Sequence, residues 1–193
     1  ITWNLQQAEK HSDGISPLSY LWAYPCIAGG MKDLGILNQS FGLRGFTQTT
    51  KFKPVKIKAN QKPVLAYVGR MSPEKNLPAV CSLALKLDCP LHVIGGIDPN
   101  SPVYQSAHFQ KIIDSVKESE PWLAMEAKGL LHYHGHQTNV HKKLDEIKPT
   151  CLALVSDFEG EPLVFLEAMS RGLLVAGRGV CSIPAMLEGN GVY

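Results

Sequence analysis

TCLALVSDFEGEPLVFLEAMSRGLLVAG (150–177) is the stretch on which the reading of this chain turns. Its first seven residues, TCLALVS (150–156), form a short apolar run of the kind that makes a buried strand. Pro162 suits the first position of a helix, because the N–H it lacks would have no partner there and its φ is already helical. The apolar spacing of PLVFLEAMSR (162–171) predicts that helix, and Gly172 is a common residue where helices stop. LLVAG (173–177) returns to a strand. Two strands joined through a helix run parallel. The loop 156–161 therefore links a strand's carboxyl end to a helix N-terminus, with Glu159 in the loop and Glu167 about one and a half turns into the helix.

The alternation extends backwards from there. PVLAYVG (63–69), PLHVIGG (90–96) and LLHYHG (130–135) read as strands ended by glycine. Between them, 77–88, 105–128 (broken near Pro121) and 139–148 carry apolar residues at helical spacing. SIPAMLEGNGVY (182–193) reads as a short helix followed by the start of a sixth strand. Apolar strands alternating with helices predict a doubly wound α/β fold, a Rossmann-like parallel sheet covered on both faces. Ligands in such folds bind beyond the carboxyl ends of the strands. Loops 69–76, 95–101, 135–138, 156–161 and 177–182 should share that edge. Residues 1–61 break the pattern and read as an unassigned N-terminal segment with a basic linker, KFKPVKIKANQK (51–62), entering a domain that spans 62–193. IAGGMKDLG (27–35) reads as a turn rather than a phosphate loop, since a bare Gly-Gly marks turns far more often.

Composition narrows the classes. The chain has 193 residues, 45% of them apolar and 19% charged, with a net charge of +2, so no electrostatic argument favours nucleic acid as a partner. Five cysteines form no CxxC pair, which fits a reducing, cytoplasmic setting. No run of 18 apolar residues and no signal-peptide pattern occurs, so membrane anchoring is not expected from these residues. The missing initial Met and the end at GNGVY lead to the expectation that the chain is a fragment.

The chemistry concentrates on the predicted edge. Glu167 sits among Val164, Phe165, Leu166, Ala168 and Met169, which predicts partial burial and hence a need for hydrogen-bond donors. Sugar or ribose hydroxyls meet that need, and the helix N-terminus before it favours a phosphate. In GRMSPEKN (69–76), Arg70 and Lys75 are suited to clamp a diphosphate, Arg70 by paired hydrogen bonds and Lys75 as a point charge. The residues alone leave a plainer reading open, in which Glu159 is a solvated loop residue, Glu167 pairs with a base, and Arg70 and Lys75 are ordinary surface charges. His132, His134 and His136 alternate along one strand, with His141 following. Without a Cys or carboxylate at ligand spacing they read as a polar strand end, with His136 near a nucleotide, rather than a zinc site.

Three segments carry a family resemblance. VGRMSPEKNLPAV (68–80) resembles the opening of the donor domain in family 4 glycosyltransferases, which have the two-domain GT-B fold. SDFEGEPLVFLEAMSRGLLVAG (156–177) resembles their E-x7-E signature, and LHYHGH (131–136) matches the strand before their nucleobase-side loop. The likeness covers about residues 62–193 and implies the C-terminal half of a GT-B enzyme. Such an enzyme transfers a sugar, with retention, from a nucleotide-diphosphate-sugar to a hydroxyl of a saccharide or lipid-linked acceptor. The resemblance implies that Arg70 and Lys75 hold the donor pyrophosphate and act in catalysis with Glu159, which faces the donor sugar. Glu167 takes the ribose hydroxyls. Gly69, His136, Gly160, Glu161 and Leu163 complete the implied donor contacts, the last three through backbone groups beside Pro162. No metal cofactor is implied; the cations and the helix dipole take its place. An N-terminal acceptor domain is the implied partner, and glycan or glycolipid synthesis in the cytoplasm or at the inner membrane face the implied setting. Two departures stand out: Glu161-Pro162 replaces the usual Phe-Gly or Leu-Pro, and Ala185 in CSIPA (181–185) stands where the family usually has Glu. A degenerate, non-catalytic nucleotide-sugar module is the alternative reading. A dinucleotide-binding domain is weaker, because no GxGxxG follows the first strand.

Overall fold

A computed structural model describes residues 62–97, 100, 107–160 and 162–187. The readings made for residues 1–61, for Glu161 and for a sixth strand lie outside the described residues. Five strands form one parallel sheet: β1 (Leu65–Val68), β2 (Leu91–Ile94), β3 (Leu131–Tyr133), β4 (Cys151–Leu154) and β5 (Leu174–Gly177). Their order is β3-β2-β1-β4-β5, with Leu65 opposite both Leu91 and Cys151. Each strand is shorter than its apolar run in the sequence, because the flanking residues turn into loops.

Alternate residues of β1 and β2 point to opposite faces, and each face has its own packing. On one face Leu65, Tyr67, Leu91 and Val93 meet Val80, Cys81 and Ala84 of α1 (Leu77–Leu87) and Trp122 and Met125 of α3 (Glu120–Ala127). The buried residues of α1, Leu77, Val80, Cys81 and Ala84, repeat at three and four positions, so one stripe of the helix is consumed by the sheet. On the other face Ala66 and Ile94 meet Leu144 of α4 (Val140–Ile147). Asn139 caps α4, its side chain accepting from Lys142 N–H at 2.9 Å. The helical stretch expected over 105–128, broken near Pro121, is two helices, α2 (Ala107–Lys117) and α3, with Pro121 in the first turn of the second. A proline there costs no hydrogen bond, which is why the break falls just before it.

The last unit follows the sequence with one shift. Helix α5 runs Leu163–Ser170, and Pro162 is its N-cap rather than its first helical residue, with ψ at 101°. Its carbonyl accepts from Phe165 N–H at 2.9 Å, so it begins the helix without adopting helical geometry. Gly172 has φ +71°, and Leu173 N–H and Gly172 N–H bond back to Ala168 and Met169 carbonyls. That pair of bonds is a Schellman stop, and glycine adopts its left-handed residue without Cβ strain. The short helix α6 (Ile183–Leu187) closes the described chain. The Arg171 guanidinium is buried between α5 and α4, donating to Asp145 and to the His141 carbonyl.

Expectation and structure part company at β3. This strand is an edge, and His132 and Tyr133 are exposed. Tyr133 has its ring edge against Trp122 and the Lys117 ammonium 4.7 Å from its centre.

At the carboxyl edge, Gly69 N–H donates to Ile94 O at 3.0 Å and Gly95 N–H to Gly135 O at 2.9 Å. A Cβ on Gly95 would lie 1.8 Å from Gly69 O, a backbone atom with no room to yield. Gly95→Ala is therefore expected to destabilise the domain by about 3 kcal/mol, measured as a lowered urea midpoint at unchanged slope.

Candidate functional site

The chain leaves β1 towards β2 on one side and β4 towards β5 on the other, so strand order reverses between β1 and β4. The loops after these two strands consequently meet at the sheet's carboxyl edge, the position at which doubly wound folds bind ligands. The contact is direct: Asp157 N–H donates to Glu74 O at 2.8 Å.

Across this junction Lys75 Nζ donates to Glu159 Oε1 at 2.7 Å, with side chains 19% and 7% exposed. Ser156 Oγ donates to the same oxygen at 2.8 Å. Lys75 ends a short 3-10 turn (Pro73–Lys75), which Asn76 closes in the left-handed region at φ 47°. That turn aims the ammonium back over β4. The expected pair thus comes together, but Lys75 and Glu159 hold each other where a phosphate clamp and a sugar-facing carboxylate were expected. Such a pair is a pre-set dipole: the ammonium has two further protons to donate, and Lys75 and Ser156 both meet Glu159 at Oε1.

Arg70 stands farther out. Its guanidinium is about half exposed and lies 3.3 Å from Glu74 Oε1, which also accepts from Ser72 Oγ at 2.5 Å. Burial pushes the Glu74 carboxyl upward, but the Ser72 hydroxyl, its own backbone N–H and the Arg70 and Lys75 charges outweigh it and hold Glu74 below its ordinary value. Tyr67, on β1, donates its hydroxyl to Arg70 O. Burial raises its pKa beyond the usual phenol range, and Glu159 and Glu74 add to the shift against Arg70. Tyr67 therefore remains a neutral donor that fixes the loop carrying Arg70.

Gly69 and Gly160 sit on this edge, the Gly160 carbonyl accepting from Ser182 Oγ. Leu163 opens α5 and is 47% exposed. Glu167 is half-buried, one turn further on the same helical face as Leu163. Side chains on a helix tilt towards its N-terminus, so Glu167 leans back towards the edge. His136 is exposed, and its backbone nitrogen lies 3.6 Å from the position a Gly96 Cβ would take, which puts its loop beside the loop after β2. Among the described residues no group of three or more His, Cys, Asp and Glu is arranged to hold a metal ion.

Three features escaped the sequence reading. Ser156 orients Glu159. Asp157 receives Arg178, from the loop after β5, and Asn76 Nδ2 at 3.5 Å, joining three loops through one carboxylate. Tyr67 was read only as core. The spacing S-x-x-E was a usable signal for Ser156; nothing local marks Arg178 as the partner of a residue 21 positions earlier. A groove of about 410 Å³ lies on the α1–α2 side, lined by Ser72, Pro73, Asn76, His108 and Lys111. It includes neither Lys75 nor Glu159, so the polar junction, not this groove, is the candidate site.

Removing one member of a largely buried ion pair strands the other charge. Lys75→Met and Glu159→Gln should each cost about 2–3 kcal/mol, and the double variant less than their sum, as read from a double-mutant cycle in urea.

Comparisons with known proteins bear on the fold and the family. Residues 48–191 match the family model described as glycosyl transferases group 1. No curated protein sequence matches. Among solved structures, the lipopolysaccharide outer core galactosyltransferase WaaB in its apo form superposes with a TM-score of 0.67 at 20% identity, over 95% of this chain and 49% of that one. Anabaena HepE in complex with UDP-glucose gives 0.73 at 13% identity, over 100% and 52%. The catalytic domain of starch synthase IV from Arabidopsis thaliana, bound to ADP and acarbose, gives 0.67 at 11% identity, over 94% and 42%. The chain thus spans about half the length of the first two structures and less of the third. These identities carry the fold alone; the family model carries the membership, and this chain belongs to the group 1 glycosyl transferases, in keeping with the GT-B resemblance of its motifs.

Proposed function

We propose that this chain is the nucleotide-sugar-binding half of a retaining glycosyltransferase that moves a sugar from a nucleotide-diphosphate donor to a hydroxyl acceptor. The observation that carries the proposal is the Lys75–Glu159 pair, set into the switch point of the sheet directly before the N-terminus of α5. A diphosphate arriving there meets the Lys75 ammonium, the Arg70 guanidinium and the first-turn N–H groups of α5, Leu163 among them. As the phosphate draws Lys75 towards itself, Glu159 becomes available to accept from hydroxyls of the donor sugar. Glu167, half-buried and leaning towards the edge, takes the ribose hydroxyls. The His136 loop and Gly69 border the base and the phosphates, and Gly160 and Glu161 supply backbone to the sugar.

Charge develops on the diphosphate as the glycosidic bond breaks, and groups already fixed in place stabilise it without reorganising. Tyr67, Ser156 and Asp157 provide that fixing. Cations and a helix dipole neutralise the leaving group, so the reaction is expected to run without a metal ion. The complexes of HepE with UDP-glucose and of starch synthase IV with ADP, proteins of similar fold, support a nucleotide as the ligand. The acceptor, a saccharide or lipid-linked hydroxyl, belongs with an N-terminal domain facing this edge. Synthesis of glycans or glycolipids on the cytoplasmic side, at the inner membrane face, is the setting that fits. No helix among the described residues is long and apolar enough to cross a membrane.

Calorimetric titration with UDP, GDP, ADP and their sugar conjugates tests the reading. One nucleotide class should bind, and Lys75→Met and Arg70→Ala should each weaken it about 10–100-fold, the worth of one charge-assisted hydrogen bond. Added EDTA should leave the affinity unchanged. Absence of binding by the intact protein, or affinity untouched by both substitutions, would refute the assignment.

A further inference from the structure

His132 on β3 and His134 just after it acquire a partner that the sequence does not reveal. His92, on β2, is in register with His132 and one step diagonal from His134, so all three share the face of the sheet that α4 covers in part. His92 Nδ1 and His134 Nε2 are 2.9 Å apart. Their ring planes differ by 6°, and their centroids are 5.2 Å apart. That centroid distance equals the nitrogen separation extended by one ring radius on each side, so the rings are coplanar and edge to edge. The contact is a linear imidazole–imidazole hydrogen bond. Nitrogens that aim along one line at each other do not converge on a metal ion.

A linear bond of this kind holds one proton between two nitrogens. It tolerates one added proton on the pair, but two leave a proton on each facing nitrogen and break it. The surroundings already oppose protonation. Burial pushes the His92 imidazole down to about 4, helped by His132 and His134. Burial also lowers His134, with Lys143 of α4 and His132 adding to the shift and Glu146 of α4 opposing it. His132 lies across His92 with centroids 4.5 Å apart, and on the β1 side the neighbour in register is the apolar Ala66.

What the bond holds is the beginning of the loop that carries His136. His134 N–H donates to Val93 O at 2.9 Å, Gly135 O accepts from Gly95, and Gln137 Nε2 reaches back to His134 O at 2.7 Å. Downstream of these contacts the chain runs along the sheet edge to the Asn139 cap of α4.

We propose that the His92–His134 hydrogen bond is a proton-operated latch on the loop 134–139, so that acid loosens the loop and weakens nucleotide binding at the adjoining edge. The coupling to nucleotide rests on the donor-site reading; the latch itself does not. The sign follows from linkage: the opened histidines take protons near their ordinary value of 6.5, the latched ones below it, His92 only at about 4. The latch is therefore fully engaged above about 6.5 and lost as pH falls towards about 4.

Asn reproduces an Nδ1 contact and Gln an Nε2 contact without titrating, so His92→Asn/His134→Gln should keep the bond and lose its pH response. Amide-exchange protection of His134 and Gly95, whose N–H groups tie the start of the loop to β2, measured without ligand from about pH 7.5 to 5.0, should fall about tenfold in the wild-type chain and stay level in the double variant. UDP, GDP and ADP titrated in turn should lose about tenfold in affinity over the same range, beyond any loss that the variant shows from titration of the phosphates. Protection that is flat in wild type, or that falls equally in the variant, overturns the latch. Protection that falls while affinity holds overturns the coupling. If no nucleotide binds at any pH, the donor-site reading fails, and the exchange data still decide the latch.

Discussion

The arrangement depends on β1 and β4 lying side by side while the chain leaves them in opposite directions. Elsewhere in a doubly wound sheet, the loop after each strand is carried away by its own helix. At the reversal two loops are left facing each other with no helix between them, and their polar groups have to be satisfied there. Lys75, Glu159, Ser156, Asp157 and Asn76 do this among themselves. The same adjacency that creates a structural problem thus concentrates charge and hydrogen-bonding capacity in one place.

A carboxylate and an ammonium out of contact with most of the solvent are costly unless paired, and pairing alone does not make them stabilising relative to an apolar core. Their retention at the mouth of a site is better understood as preparation for a ligand. The ion pair keeps Lys75 from collapsing onto other oxygens and holds the Glu159 carboxylate in one orientation. Arg70, by contrast, is tied among the described residues to the half-exposed Glu74, an arrangement worth little in water and readily exchanged for a phosphate. The two cations thus differ in kind, Lys75 fixed and sheltered, Arg70 loosely held at the rim. Tyr67 links the two, since its hydroxyl holds the backbone at Arg70 while burial, with Glu159 and Glu74 adding to it, keeps that hydroxyl neutral.

Local signals made the fold legible. Apolar runs ending in glycine, a proline in the first turn of α3 and Gly172 after α5 each have a short-range physical cause, and each appears where it was read. Pro162 missed by one residue because a proline's φ suits an N-cap as well as a first helical position; only ψ distinguishes them. The histidines after Leu131 were read as a polar strand end, but the exposure of Tyr133 beside His132 follows from the place of β3 at the edge of the described sheet, and edge position is a property of strand order. In the candidate site, the residue types were legible and their pairing was not. Lys75 and Glu159 are 84 positions apart, and their contact exists only because β4 inserts beside β1. The partnership of His92 with His134 was hidden for the same reason, since one belongs to β2 and the other follows β3.

The central claim is that the junction of the β1 and β4 loops receives a nucleotide diphosphate. Backbone amide shifts of the 15N-labelled intact protein, followed during titration with UDP, GDP and ADP, address it most directly. One nucleotide is expected to move the amides of Gly69–Asn76 and of Phe158–Val164 together, with those beyond the sheet's amino edge unchanged. Shifts confined to the groove between α1 and α2, or none with any nucleotide, would contradict it.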